Sequence, residues 1–412
     1  MSENEKLVPK RRFKEFKNAD IWEQRKVSDF AEETYGGGTP KTSVEEYWNG
    51  NLPWIQSSDL NEHQSSFKTA RKKITESGLN NSATKLVPAN SIAIVTRVGV
   101  GKLAFMPFDY ATSQDFLSLS KLKVDEWFGV YSLYKKLQSE LHAVQGTSIK
   151  GITKEELLNK KVMVPLSKDE QEKIGTFFRS LDDLIASQQR KLNKIKAMKS
   201  AYLSEMFPTA GERKPKRRFA GFTDDWEQRT IGEFGSFYYG KSAPKWSVTS
   251  DATTPCVRYG ELYTKHKEKI DTIYSFTNIP KENLKFSTGK EVLVPRVGED
   301  PLDFANCSWL SIPGVAIGEM ISVYNTKQNP LFTAYMFNAL FKYEFAKRVE
   351  GGNVSNLYYA YLENIPVSYP SLEEQDKIAS FFDNLSTLIA FQQRKLEKLQ
   401  NIKKAYLNEM FI

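Results

Sequence analysis

The chain repeats itself. Gln171-Glu172-Lys173-Ile174 returns as Gln375-Asp376-Lys377-Ile378, Phe177-Phe178 as Phe381-Phe382, and Gln188-Gln189-Arg190-Lys191-Leu192 as Gln392-Gln393-Arg394-Lys395-Leu396, each 204 residues further on. Ala201-Tyr202-Leu203-Ser204-Glu205-Met206-Phe207 returns as Ala405-Tyr406-Leu407-Asn408-Glu409-Met410-Phe411. Such a period far exceeds the ~20–50 residues of stacked solenoid units, so the fold must hold two copies of a domain-sized module. The copies agree in their helical segments and diverge between them. A fixed frame carrying two variable surfaces predicts recognition of two different things at a fixed separation.

The helical segments carry a stripe with spacings of three and four. In the first copy it runs through Ile174, Phe178, Leu181, Ile185, Leu192, Ile195, Tyr202 and Met206, with Gln188 and Lys199 at its polar positions. The second copy repeats it through Ile378, Phe382, Leu385, Ile389, Leu396, Leu399, Tyr406 and Met410, with Gln392 and Lys403. Heptad-like patterning of this length predicts a coiled coil. Pro165, Pro208 and Pro370 bound the helices. A lone amphipathic helix of this length needs a partner, and the only equal stripe is the other copy, so the two are expected to pair lengthwise as a spacer. The predicted divisions are 1–168 for a first globular domain, 169–207 for a first helix, 208–369 for a linker and second domain, and 370–412 for a second helix.

Hydrophobic residues make up 40% and aromatics 13%, enough for real cores. No apolar run approaches the ~18 residues needed to span a bilayer, and residues Met1 to Lys6 lack the apolar stretch of a signal peptide. A cytoplasmic protein without membrane association is expected. The two cysteines, Cys256 and Cys307, imply no disulfide framework. Net charge is +8, from 58 basic and 50 acidic residues, which invites a polyanionic partner. One basic cluster is itself duplicated: Pro9-Lys10-Arg11-Arg12-Phe13 returns as Pro215-Lys216-Arg217-Arg218-Phe219. That repetition raises its standing as a binding patch above the clusters at Arg71-Lys72-Lys73 and Lys265 to Lys269.

The intervening regions read as mixed α/β. Strands are expected at Leu52 to Gln56, Ser91 to Val98, Phe116 to Lys123, Cys256 to Tyr259 and Glu291 to Val297, with helices near Glu126 to His142 and Leu331 to Val349. Pro53-Trp54-Ile55-Gln56 aligns with Pro255-Cys256-Val257-Arg258, and Thr96-Arg97-Val98-Gly99 with Pro295-Arg296-Val297-Gly298. An arginine closing a strand just before glycine offers a guanidinium fork to phosphate or guanine. The competing role is an ion pair with a carboxylate such as Asp115 or Glu299. Catalytic constellations are missing. Gly36-Gly37-Gly38-Thr39-Pro40 lacks the lysine of a phosphate loop. Asn329-Pro330-Leu331-Phe332 lacks the second proline of an amino-methyltransferase motif. His63, His142 and His266 have no partners at metal-ligand spacing. A recognition or scaffold subunit is the expectation.

The chain resembles the specificity subunits of type I restriction-modification systems. The resemblance rests on Gly37-Gly38-Thr39-Pro40, Tyr47-Trp48, Pro53-Trp54-Ile55, Asp59-Leu60, Arg97-Val98-Gly99 and Ser113-Gln114-Asp115-Phe116 in the first half. It continues with Val257-Arg258-Tyr259-Gly260-Glu261-Leu262-Tyr263 and with the helix entries at Pro165 to Ile174 and Pro370 to Ile378. One departure stands out: where the first half has Gly99-Val100-Gly101-Lys102, the second has Gly298-Glu299-Asp300-Pro301, so Lys102 has no equivalent. The resemblance implies a mixed α/β fold of two target recognition domains separated by two long antiparallel helices, with a pseudo-two-fold internal repeat. It implies binding to a bipartite double-stranded DNA target, in complex with type I methyltransferase subunits and nuclease-translocase restriction subunits. S-adenosylmethionine, ATP and magnesium are expected on those partners, and no cofactor on this chain. Arg97 with Lys102, and Arg296 with Arg258, are the expected DNA contacts. Gln56, Ser57, Thr147 and Ser148 in the first half, and Tyr259, Asn353 and Ser355 in the second, are further candidates. The rival reading is a non-catalytic adaptor that binds protein partners and uses its basic surface on nucleic acid without sequence preference.

Overall fold

A computed structural model describes residues 7–60, 69–143, 151–209 and 212–412. The chain forms two compact units, one of Met1–Lys191 with Gln393–Ile412 and one of Leu192–Gln392. This division cuts across the linear one, because each long helix begins in one unit and ends in the other. The helices are Lys168–Glu205, 38 residues, and Leu372–Met410, 39 residues. At about 1.5 Å per residue each is just under ~60 Å long. Both begin alike. Ser167 Oγ accepts the Glu170 N–H at 3.4 Å and Ser371 Oγ accepts that of Glu374 at 3.4 Å. Asp169 with Glu170, and Glu373 with Glu374, place negative charge in the first turn, where the helix dipole favours it.

In the first unit a four-stranded antiparallel sheet runs in the order Ala31–Gly36, Phe116–Leu122, Ser91–Val95, Leu103–Met106. A second sheet orders Lys72–Ile74, Trp48–Ile55 and Ala111–Thr112. The central strand Ser91–Val95 is buried throughout, and its two faces feed different cores. Ile92 and Ile94 pack with Phe128 and Tyr131 of helix Glu126–Ala143 and with Ile174, Phe178 and Leu181 of the first long helix. Ala93 and Val95 face Ile55, Leu60, Met106 and Tyr110. The last turns of the second long helix close the first core with Leu407, Met410 and Phe411. Here the two helices pair antiparallel: Phe177 meets the Tyr406 ring at 5.2 Å, while Asp182 bonds Lys403.

The second unit repeats this plan. Val292 and Val294 of strand Glu291–Pro295 face Leu331, Phe332 and Tyr335 of helix Pro330–Leu340, with Ile378 and Phe382 of the second long helix and Met206 and Phe207 just beyond the end of the first. Leu293 faces Val257, Leu262 and Ile317. Tyr202 meets Phe381 at 5.2 Å, the counterpart of Phe177 with Tyr406. Trp226 meets Phe207 at 6.4 Å as Trp22 meets Phe411 at 6.4 Å.

The stripe residues therefore do more than pair helices. Ile174, Phe178, Leu181, Ile378 and Phe382 lie in unit cores, and Leu385 packs against one. Leu192, Ile195, Ile389 and Leu396 are buried, whereas Ile185 and Leu399 are half-buried. Several expected bounds shift. The strand expected to Val98 stops at Val95, and the one expected to Tyr259 stops at Val257, where helix Tyr259–Thr264 takes over. The helix expected from Leu331 to Val349 breaks at Phe341 (φ −100°, ψ 8°) into Pro330–Leu340 and Lys342–Ala346.

Candidate nucleic-acid interface

The arginines of the duplicated basic cluster are tied into the frame. Arg12 forks onto Glu170 with both bonds at 2.6 Å, and Arg218 forks onto Glu374 with both at 2.7 Å. Arg11 pairs with Glu409, and Arg217 with Glu205. These pairs clamp each domain entry to the start of one long helix and the end of the other. The lesser clusters are also engaged. Arg71 pairs with Asp59 at 3.3 Å, Lys72 lies over the Trp48 ring, Lys265 pairs with Glu261 at 3.1 Å and Lys269 with Asp383 at 3.1 Å.

In the first unit one turn gathers the candidates. The Ser113 N–H bonds the Ile55 carbonyl at 2.9 Å, and the Thr96 N–H bonds the Asp115 carbonyl at 2.7 Å. The turn Ser113 to Asp115 thus bridges the strand end before Gln56 and the one before Arg97. Arg97 is exposed and forms no ion pair among the described residues; the Asp115 carboxylate accepts instead from Ser113 Oγ at 3.3 Å. The five residues after Arg97 form a tight turn that needs left-handed backbone at Gly99 (φ +88°) and Gly101 (φ +90°). Its tip is Val98, 73% exposed. Lys102 is half-buried, its stem lying close to Gly99. Gln56 begins the short turn Ser57–Asp59, its N–H bonded to Asp59 Oδ2 at 3.1 Å, and Gln56 and Ser57 are both half-buried. Thr147 and Ser148 lie outside the described residues.

The second unit builds the same bridge from other residues. The Gly318 N–H bonds the Val257 carbonyl at 3.0 Å and the Arg296 N–H bonds the Met320 carbonyl at 3.2 Å. Arg258 precedes helix Tyr259–Thr264, its N–H bonded to Glu261 Oε2 at 3.1 Å, so it stands where Gln56 stands. Tyr259 is half-buried against the core that holds Val257. A small sheet, in the order Val297–Gly298, Ser355–Asn356, Glu350–Gly351, brings the hairpin carrying Asn353 beside Arg296. Asn353 is exposed and Val354, its neighbour at the tip, is 57% exposed. Ser355 is 3% exposed and donates its hydroxyl to the Gly352 carbonyl at 3.1 Å, so here it shapes the hairpin.

The alignment of Arg97 with Arg296 is corrected. Ile92 and Ile94 share the helix-facing side with Val292 and Val294, and the bridging N–H belongs to Thr96 in one unit and Arg296 in the other. Arg296 therefore occupies the position of Thr96, one residue before that of Arg97. A one-residue slip in a strand sends the side chain to the opposite face. Arg296 does not pair with Glu299. Its guanidinium lies 4.3 Å from the Tyr239 ring centroid and 5.4 Å from that of Tyr358, and its Nε is buried without a hydrogen-bond partner among the described residues. By contrast Arg213, Arg217, Arg218, Arg229 and Arg348 each have a carboxylate partner. The tyrosines went unread in the sequence; the doublets Tyr238-Tyr239 and Tyr358-Tyr359 were the available signal.

Both cysteines are buried and free. Burial pushes the Cys256 thiol up to about 11 and Cys307 higher still. Among the described residues no cluster of His, Cys, Asp and Glu is arranged to hold a metal ion, and no helix is long and apolar enough to cross a membrane.

Comparison with known proteins adds a consistent picture. Residues 20–197 and 223–401 each match the type I restriction modification DNA specificity domain. The chain is 26% identical over 423 aligned residues to the type I restriction enzyme MjaIX specificity subunit of Methanocaldococcus jannaschii, covering 96% of this chain and 95% of that one. It is 45% identical over 67 residues to the EcoR124I/EcoR124II specificity subunit of Escherichia coli, 16% of each chain. The S subunit of a type I restriction-modification system from M. genitalium shares the fold, with a TM-score of 0.61 over 98% of this chain and 99% of its own at 15% identity.

Proposed function

The chain belongs to the type I restriction-modification DNA specificity family, and we propose that each of its two units reads one half of a bipartite DNA target. The carrying observation is the double match of the DNA specificity domain, over residues 20–197 and 223–401. The two strand-end sites described above support it: Arg97 in the first unit, and Arg258 and Arg296 in the second, stand there without carboxylate partners among the described residues. In this reading Arg97, Lys102, Gln56 and Ser57 contact one half-site, joined by Thr147 and Ser148. Arg258, Tyr259, Arg296 and Asn353 contact the other. Phosphate contacts position such a protein, and base contacts give it specificity.

The chain acts with type I methyltransferase and restriction subunits, in keeping with the family and its specificity-subunit relatives. Chemistry then resides on those partners, which bind S-adenosylmethionine, ATP and magnesium, while this chain is non-catalytic and acts in the cytoplasm. Binding measured across a salt series tests this. A defined target, obtained by methylome sequencing of a host expressing this chain with its methyltransferase, should bind ~10³–10⁷-fold more tightly than random duplex. An adaptor of protein partners would bind both alike. Methyl transfer by this chain alone would overturn the non-catalytic assignment.

A further inference from the structure

Arg296 is held more closely than a surface arginine requires. Its backbone is tied on both sides, by its own N–H to the Met320 carbonyl at 3.2 Å and by the Leu357 N–H to its carbonyl at 2.8 Å. Its guanidinium faces two tyrosine rings, Tyr239 at 4.3 Å and Tyr358 at 5.4 Å, each over 50 residues away in sequence. Tyr239 is braced in turn by the Tyr359 ring at 4.5 Å, which stacks on Phe237 at 5.5 Å and 4°. Nε is sealed without a partner, and among the described residues Nη1 and Nη2 make no hydrogen bond and are not sealed with it. A bidentate ligand can then be met only end-on, through the two Nη groups.

We propose that Arg296 is a specificity-determining residue that reads a guanine in the half-site served by the second unit, with Tyr239 and Tyr358 as positioning residues. This rests on the DNA-reading function proposed above. Guanine offers two acceptors, O6 and N7, at the major-groove edge, matched to a planar fork, whereas adenine sets a donor against it. A phosphate can also be held by a lysine as a point charge, without a fixed plane. Rings beside the guanidinium limit its rotation, which is the device expected where orientation carries the information. Thr96, at the same strand position in the first unit, is buried with its hydroxyl on the Asp115 carbonyl, so the first unit has no counterpart of this fork.

The test uses the full chain with its methyltransferase on the target defined by methylome sequencing. The second half-site should contain a guanine whose replacement by 7-deazaguanine weakens wild-type binding roughly 5- to 150-fold. Arg296→Lys should lose that discrimination while keeping the salt dependence and the reading of the first half-site. Tyr358→Phe should behave as wild type, and Tyr358→Ala should lose discrimination at that one base. A second half-site without a G·C pair would overturn the proposal. So would Arg296→Lys with discrimination intact, or Arg296→Ala weakening all duplexes equally with the salt slope reduced by about one. Failure of the wild type to prefer any sequence would instead sink the DNA-reading function itself.

Discussion

Arg12 and Glu170 form a buried two-bond fork, with side chains 6% and 1% exposed, and Arg218 and Glu374 repeat it at 14% and 0%. Removing one partner of such a pair strands the other charge away from water, at a typical cost of ~3–5 kcal/mol. Arg12→Ala should destabilise the first unit by about that much and Arg218→Ala the second. Exchanging both members of a pair for apolar residues of similar size should cost much less. Denaturant unfolding with a probe in each unit checks this; equal losses in single and double variants would refute it.

A fragment of residues 1–207 should form a homodimer. In the full chain the first unit is closed by Tyr406, Leu407, Met410 and Phe411, and a second fragment offers Tyr202, Leu203, Met206 and Phe207 at the same helical positions. The charged contacts transfer as well, Glu205 for Glu409 on Arg11 and Lys199 for Lys403 on Asp182. Exchange of like segments gives an isologous dimer, so with methyltransferase present it should modify an inverted repeat of the first half-site. Sedimentation and methylome mapping decide; a folded monomer, or modification of direct repeats, would exclude this.

At the first edge, Arg97→Ala should cost ~1–3 kcal/mol on the cognate site and relax one position of one half-site only. Lys102→Ala should weaken all duplexes alike and lower the salt slope by about one. If neither quantity moves for either variant, this turn does not touch DNA.

His266 makes the second unit sensitive to mild acid. Its Nε2 is buried without a partner among the described residues, and burial lowers its pKa from 6.5, with Glu261 and Asp271 opposing and Lys265 assisting. Below about pH 6.5 the unfolded chain takes up a proton that the folded unit resists. Stability should therefore fall as pH drops from 6.5 toward the lower folded pKa, and His266→Phe should flatten that fall. Identical pH slopes for variant and wild type would contradict it.

The helices and the repeat were legible because a stripe at spacings of three and four, bounded by Pro165, Pro208 and Pro370, is a local signal. The role of the duplicated arginines was not, since Arg12 and Glu170 are far apart in sequence. The shared string Arg-Val-Gly paired Arg97 with Arg296, yet the alternation Ile92-Ala93-Ile94 against Val292-Leu293-Val294 sets the register one residue earlier. A short string match lost to the burial pattern. Ser355 looked like a contact because it is small, polar and near glycines, and only the hairpin's own hydrogen bond reveals it as structural.

The interleaving of helix ends makes one unit continuous in sequence and the other discontinuous. The second unit, Leu192–Gln392, is a single stretch of chain. The first unit is completed only by Gln393–Ile412, which seats Phe411 in its core. Removing Gln393–Ile412 should therefore destabilise the first unit, at the opposite end of the chain, and leave the second unit's own contacts in place.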